Sequence, residues 1–123
     1  MRETFHLVPE AVWTTSDPAT GYEAASLDSE GFIHCTDRLE PLGVTFDRYY
    51  ANDPRPFLAL TIDLDTLDVP WRYDVPGSPY PHIYGSIART AVLDVSRVER
   101  DGAGRFAGLS SAASPSARRV ADD

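Results

Sequence analysis

The chain contains no lysine, and all 11 of its cations are arginines. That absence removes Schiff-base chemistry on a side-chain amine and the lysine of a Walker-type phosphate loop. Any anion contact must come from Arg, His or backbone amides. A single cysteine, Cys35, excludes an internal disulfide and a multi-thiolate zinc site. There is no glycine-rich phosphate loop and no GxSxG nucleophile elbow. No apolar run approaches the roughly 18 residues of a membrane span. The opening MRETFHLVPEAVW has no uninterrupted apolar stretch, so the expectation is a soluble, cytoplasmic protein with no membrane partner.

What is present fits one small globular unit. The 123 residues include 42% hydrophobic residues and carry 19 carboxylates, for a net charge of −8 and a pI near 4.7. From Gly108 the chain reads GLSSAASPSARRVADD, small and polar, and is expected to be a flexible tail. The tail charges Arg118, Arg119, Asp122 and Asp123 cancel, so the whole net charge falls on the body, residues 1 to 107. Nucleic-acid binding needs clustered cations, so this balance points away from it and toward a small ligand.

Periodicity predicts a strand at Thr4–Val8, then a short helix from Pro9 to Thr14. Asp28–Gly31 reads as a turn leading into a strand at Phe32–Cys35. Thr36 and Asp37 can cap a main helix to Ala51, with Leu39, Leu42, Phe46 and Tyr49 or Tyr50 on one face. Phe57–Ile62 is continuously apolar and reads as a central strand buried on both faces. A helical turn at Asp63–Leu67 and an edge segment at Val69–Tyr73 follow, then Tyr80–Tyr84. A last strand, Ala91–Val98, places Leu93, Val95 and Arg97 on one face. The pattern is not a βαβ alternation, and the expected class is α+β with a strongly curved or split sheet.

All three histidines, His6, His34 and His82, lie in apolar strand segments. Alternation puts His34 on a face with Phe32 and Thr36, and Cys35 on the opposite face with Ile33. It also puts Tyr80, His82 and Tyr84 together, and His6 with Thr4 and Val8. A cleft lined by these strands would collect His6, His34, His82, Tyr80 and Tyr84, with Tyr22 and Phe32 adding aromatic surface. Each histidine has two readings: a neutral core residue bonded to backbone, or a general acid or base near neutrality. The spacing forms no metal motif, so no metal is expected. Cys35 reads as a small buried residue, because it points away from the neighbouring imidazole. Arg72 and Arg89 flank the histidine-bearing segments and could clamp a phosphate or carboxylate. The turn carboxylates Asp28, Glu30, Asp53 and Asp74 read as solvated charge.

Phe5-His6-Leu7-Val8, Trp13, Gly31-Phe32-Ile33-His34-Cys35-Thr36 and Pro81-His82-Ile83-Tyr84-Gly85 together resemble a small bacterial family, the domain of unknown function 952. The resemblance covers residues 4 to 98 and leaves the tail outside. It implies membership of the ADP-ribosyltransferase superfamily, whose members bind NAD or an ADP-ribosylated intermediate in the cleft of a split, mostly antiparallel sheet. The residues themselves give about six strands, one main helix and one short helix. The RNA 2′-phosphotransferase branch is similar in having a histidine in its first strand, matched by His6. Its later His-small-Ser/Thr strand is matched by His34-Cys35-Thr36. By that analogy His6 contacts the nicotinamide ribose or adenosine and His34 lines the cleft.

The residues expected to do chemistry are therefore His6, His34, His82 and Tyr84. Those expected to hold a cofactor such as NAD are His6, Thr36, Arg72 and Tyr80. Three functions remain open. The first is an enzyme transferring an ADP-ribosyl or phosphoryl group. The second is a cofactor-independent cyclase or isomerase of specialised metabolism. The third is a small-molecule binding module without catalysis.

Overall fold

The computed structural model describes residues 1–111. Seven strands, β1 (Glu3–Pro9), β2 (Ile33–His34), β3 (Phe57–Asp63), β4 (Trp71–Arg72), β5 (His82–Ile83), β6 (Val92–Arg100) and β7 (Phe106–Ser111), form two antiparallel sheets. The larger sheet runs β1-β3-β6-β7 and the smaller β2-β5-β4. One bridge joins them: the amide and carbonyl of Phe5 pair with those of Thr36 at 2.8 Å each. This is the split sheet expected of the α+β class.

Alternation along β1 and β3 divides the core in two. Leu7, Phe57 and Ala59 face the main helix, α3 (Leu39–Tyr50), and meet its Leu42 and Phe46. Val8, Leu58, Leu60 and Ile62 face the smaller sheet and meet Ile33, Ile83, Trp13 and Tyr22. β3 is central and covered on both faces, as its unbroken apolar run requires. Phe46 is fully buried and takes Phe57 edge-on at 5.4 Å. Removing one such side chain from water contributes on the order of 2–3 kcal/mol.

Several expectations change. Beside the short helix α1 (Glu10–Thr15) there is a second, α2 (Ala25–Glu30), where a turn was expected. Gly31 ends α2 in the left-handed conformation at φ 90°, its amide donating to the Ser26 and Leu27 carbonyls. The predicted cap of α3 does not form. Its N-cap is Arg38, and the Asp37 carboxylate instead accepts the Tyr73 hydroxyl at 2.5 Å. Leu39 is exposed rather than on the buried stripe. In β6, Val92 pairs with Ile62 and Asp94 with Thr61, so Leu93 is the extra residue of a bulge. The bulge turns Leu93 outward and lets both Val92 and Val95 reach the core.

β6 is also not the last strand. It continues to Arg100 and turns through Asp101–Arg105 into β7, so Gly108–Ser111, expected to begin the tail, are strand residues. Phe106 and Leu109 pack on the α3 side of the core. The Arg100 guanidinium donates to the carbonyls of Tyr50, Ala51, Asp53, Arg55 and Gly104, tying the end of α3 to this hairpin. The rest of the expected tail, residues 112–123, lies outside the described residues. Among the described residues, no helix is long and apolar enough to cross a membrane.

Candidate active site

The bridge between the two sheets brings β1 beside the chain that follows β2, and an open groove of about 1150 Å³ runs from there along α3 to Thr45, Arg48 and Tyr49. His6, His34, His82, Tyr80 and Thr36 all line it, with Tyr22, Cys35 and Glu30. The three histidine-bearing strands therefore converge as expected. Within the groove the histidines differ.

His6 is the floor. It is 6% exposed, with Nδ1 at 2.7 Å from the His34 carbonyl and Nε2 at 2.8 Å from the Tyr22 hydroxyl. A carbonyl only accepts, so Nδ1 carries the proton and the Tyr22 hydroxyl donates to Nε2. His6 has neither a free lone pair nor a free proton. Burial lowers its pKa to about 4, so it is neutral near pH 7. Tyr22 is fixed in turn by paired backbone bonds to Ile87 at 2.8 Å. Burial pushes the Tyr22 hydroxyl well above its ordinary pKa, and it stays a donor. The Cys35 thiol, buried in the core with Ile33, is pushed up by the same cause and is no thiolate nucleophile.

His34 and His82 form the rim. β2 and β5 pair these two residues directly, and their rings stand 5.5 Å apart, edge to face. The Phe32 ring stacks on His82 at 4.0 Å and 14° and meets His34 at 4.8 Å, which restricts both imidazoles. Each has a carboxylate on one nitrogen. Glu30 Oε1 lies 3.2 Å from His34 Nε2, and Asp74 Oδ2 lies 2.6 Å from His82 Nδ1. The α2–Gly31–β2 turn delivers Glu30, and the loop between β4 and β5 delivers Asp74. His34 Nδ1 and His82 Nε2 have no hydrogen-bond partner among the described residues.

Asp74 is held from three sides. Arg72 Nε donates to Oδ1 at 2.7 Å, and the Tyr84 hydroxyl donates to Oδ2 beside His82. Led by the Tyr84 hydroxyl, these donors hold the Asp74 carboxyl far below the usual carboxylate range. In the neutral form of the His82 ring, that charge fixes the proton on Nδ1 and leaves the lone pair on Nε2. The Arg72 guanidinium also lies 4.2 Å over the Tyr84 ring. Tyr84 and Arg72, expected to do chemistry and to hold a cofactor, thus reach the groove through Asp74. Thr36 spends its backbone on the sheet bridge, and Tyr80 is a partly exposed wall residue. Arg89 stands elsewhere, 3.9 Å over Trp13 and donating to Ser16.

Along the chain, Glu30 and Asp74 read only as solvated turn charges. The Glu30–His34 spacing of four residues carries no helical signal, because Gly31 ends α2 between them. The Asp74–His82 spacing of eight across a proline-rich loop carries none either. Among the described residues no group of three His, Cys, Asp or Glu side chains is placed to hold a metal ion.

The sequence pattern of the family described as "Protein of unknown function (DUF952)" matches residues 7–95, and the chain belongs to that family. The match lies inside the range the motifs marked and starts one residue after His6. Solved structures of CC0527 from Caulobacter crescentus share the fold. Its crystal structure superposes with a TM-score of 0.70 at 18% identity, covering 85% of this chain and 93% of that one. Its solution structure gives a TM-score of 0.66 at 19% identity, covering 86% and 92%. No curated protein matches the chain.

Proposed function

We propose that the groove is an enzyme active site for a small, nucleotide-like ligand, and that His34 and His82 are its general acid–base pair. The observation that carries this reading is the geometry of the rim. Two imidazoles lie 5.5 Å apart, each with one nitrogen on a carboxylate and the other unpaired. A carboxylate that fixes the tautomer and supports the imidazolium is the usual companion of a catalytic histidine.

The resemblance to ADP-ribosyltransferases supports a nucleotide-like ligand and makes NAD the first to try, in a cytoplasmic setting. His82, Thr36 and Tyr80 would contact it. His6, with both nitrogens engaged, would serve by holding the His34 backbone in place. Titration calorimetry of the full chain with NAD, ADP-ribose and a 2′-phosphorylated oligonucleotide tests the reading. Saturable heat with at least one of them is expected, and it should be lost in Tyr80→Ala. No heat and no thermal shift with any of the three would overturn it.

A further inference from the structure

We infer that the reaction at this groove is cleavage of a small, singly charged phosphodiester, with His82 as base and His34 as acid. The inference rests on the active-site reading above and adds the bond that is broken. General acid–base transfer needs a ring nitrogen within about 3 Å of each reacting oxygen. Two imidazoles with centroids 5.5 Å apart suit two oxygens carried by one central atom. An entering and a leaving oxygen on phosphorus meet that requirement.

The leaving group is what makes a second histidine useful. Nicotinamide departs from a ribosyl carbon as a neutral molecule and takes no proton. A ribose oxygen departs with an electron pair and needs one. The second imidazole therefore points to an alkoxide leaving group.

The carboxylates divide the roles. The charge of Asp74 is already answered by Arg72 and Tyr84. His82 is thereby held in one tautomer, with the Nε2 lone pair outward. Glu30 bonds only to His34 among the described residues, so its charge is free to accompany an imidazolium there. In the step, His82 Nε2 takes the proton of a water or hydroxyl as its oxygen bonds to phosphorus. The phosphorus–ribose oxygen bond breaks with its electron pair on oxygen, and His34 Nδ1 delivers a proton to it. One proton is taken and one given, and solvent restores both rings. The body's net charge of −8 repels a polyanion, which selects a cyclic or dinucleotide diester over RNA. Asp74 is a positioning residue.

The experiment uses the full chain with adenosine 2′,3′-cyclic phosphate, whose leaving group is an alkoxide, and bis(4-nitrophenyl) phosphate, whose phenolate leaves unaided. Turnover of both is expected. His82→Gln should lower both by about 100-fold. His34→Gln should lower cyclic phosphate turnover by about 100-fold, and the nitrophenyl diester by less than about tenfold. Asp74→Asn should reduce kcat on both esters with KM unchanged. Thermal melts of the three variants check folding, and a variant that does not fold is replaced by His34→Asn or His82→Asn. Equal losses on both esters in the His34 variant would overturn the role division. Calorimetric binding of a nucleotide without cleavage of either ester would overturn the phosphodiester assignment while leaving the active-site reading standing. No binding at all would remove both.

Discussion

The floor of the groove and its rim are built from the same residue type in the same kind of apolar strand, and they end in opposite chemical states. His6 is on β1, an edge strand of the larger sheet, and is buried with Tyr22 and the His34 carbonyl on its two nitrogens. His34 and His82 lie on two-residue strands of the smaller sheet, which is open on the groove side. A long central sheet excludes water and forces each polar group to find a protein partner. The short three-stranded sheet at the margin leaves the His34 side chain half-exposed and that of His82 partly buried, where carboxylates can approach without a large desolvation cost. The contrast separates one histidine with both ring nitrogens engaged from two that each keep one nitrogen without a hydrogen-bond partner among the described residues.

The largest effect that could break this contrast is expected at His6. His6→Ala opens a cavity and strips partners from the Tyr22 hydroxyl and the His34 carbonyl. A stability loss of about 3 kcal/mol is expected in urea unfolding at pH 7. A loss below about 1 kcal/mol would make His6 a rim residue like the others.

The next effect is the acid response. In the unfolded chain His6 binds a proton below its ordinary pKa of 6.5, whereas in the folded chain it does so only below about 4. Acid therefore favours the unfolded state. The stability that neutral His6 contributes is complete above pH 6.5 and declines toward pH 4. Between pH 6.5 and 5 the decline should be about 2 kcal/mol, and His6→Gln should flatten it. Asp53, whose carboxyl Arg55 hydrogen-bonds and holds down at about 2, acts only below its ordinary 3.8 and does not share this window. An unchanged slope in the variant would show that His6 titrates as an exposed group does.

The smallest effect is at the rim. Glu30→Gln removes an exposed partner of His34 and should change stability by less than about 0.5 kcal/mol in the same unfolding assay. A cost above about 1 kcal/mol would mean that the rim is as structural as the floor.

Much of the fold was legible because its signals are local. The continuous run Phe57–Ile62 announced a central strand, and Thr4–Val8 announced its partner. Leu42 and Phe46, four residues apart, marked the helix face that covers them. What was missed had weak local signals. Four of the six residues of Phe106–Ser111 are glycine, alanine or serine, and the segment becomes a strand because Phe106 and Leu109 find α3 and because Arg100 binds the end of that helix. The bulge at Leu93 shifts alternation by one residue, and only the pairing with β3 reveals it. Gly85 follows Tyr84 at a bend, and close packing gives a second reason for it. A Cβ there would lie 2.6 Å from a Val69 methyl, so the two segments can approach only because it is glycine.

At the site, the histidine types, the alternation that separates Cys35 from His34 and the grouping of His82 with Tyr84 were set by the sequence alone. Period-two geometry is a property of any strand. Which histidine is buried and which nitrogen is free came from the tertiary structure, as did the change of Asp74 from a solvated charge to the hub joining Arg72, Tyr84 and His82. Burial and hydrogen-bond partnership depend on residues distant in the chain, and these fix tautomer and charge. Three histidines that look alike along the chain therefore acquire their separate environments only when the two sheets meet at Phe5 and Thr36.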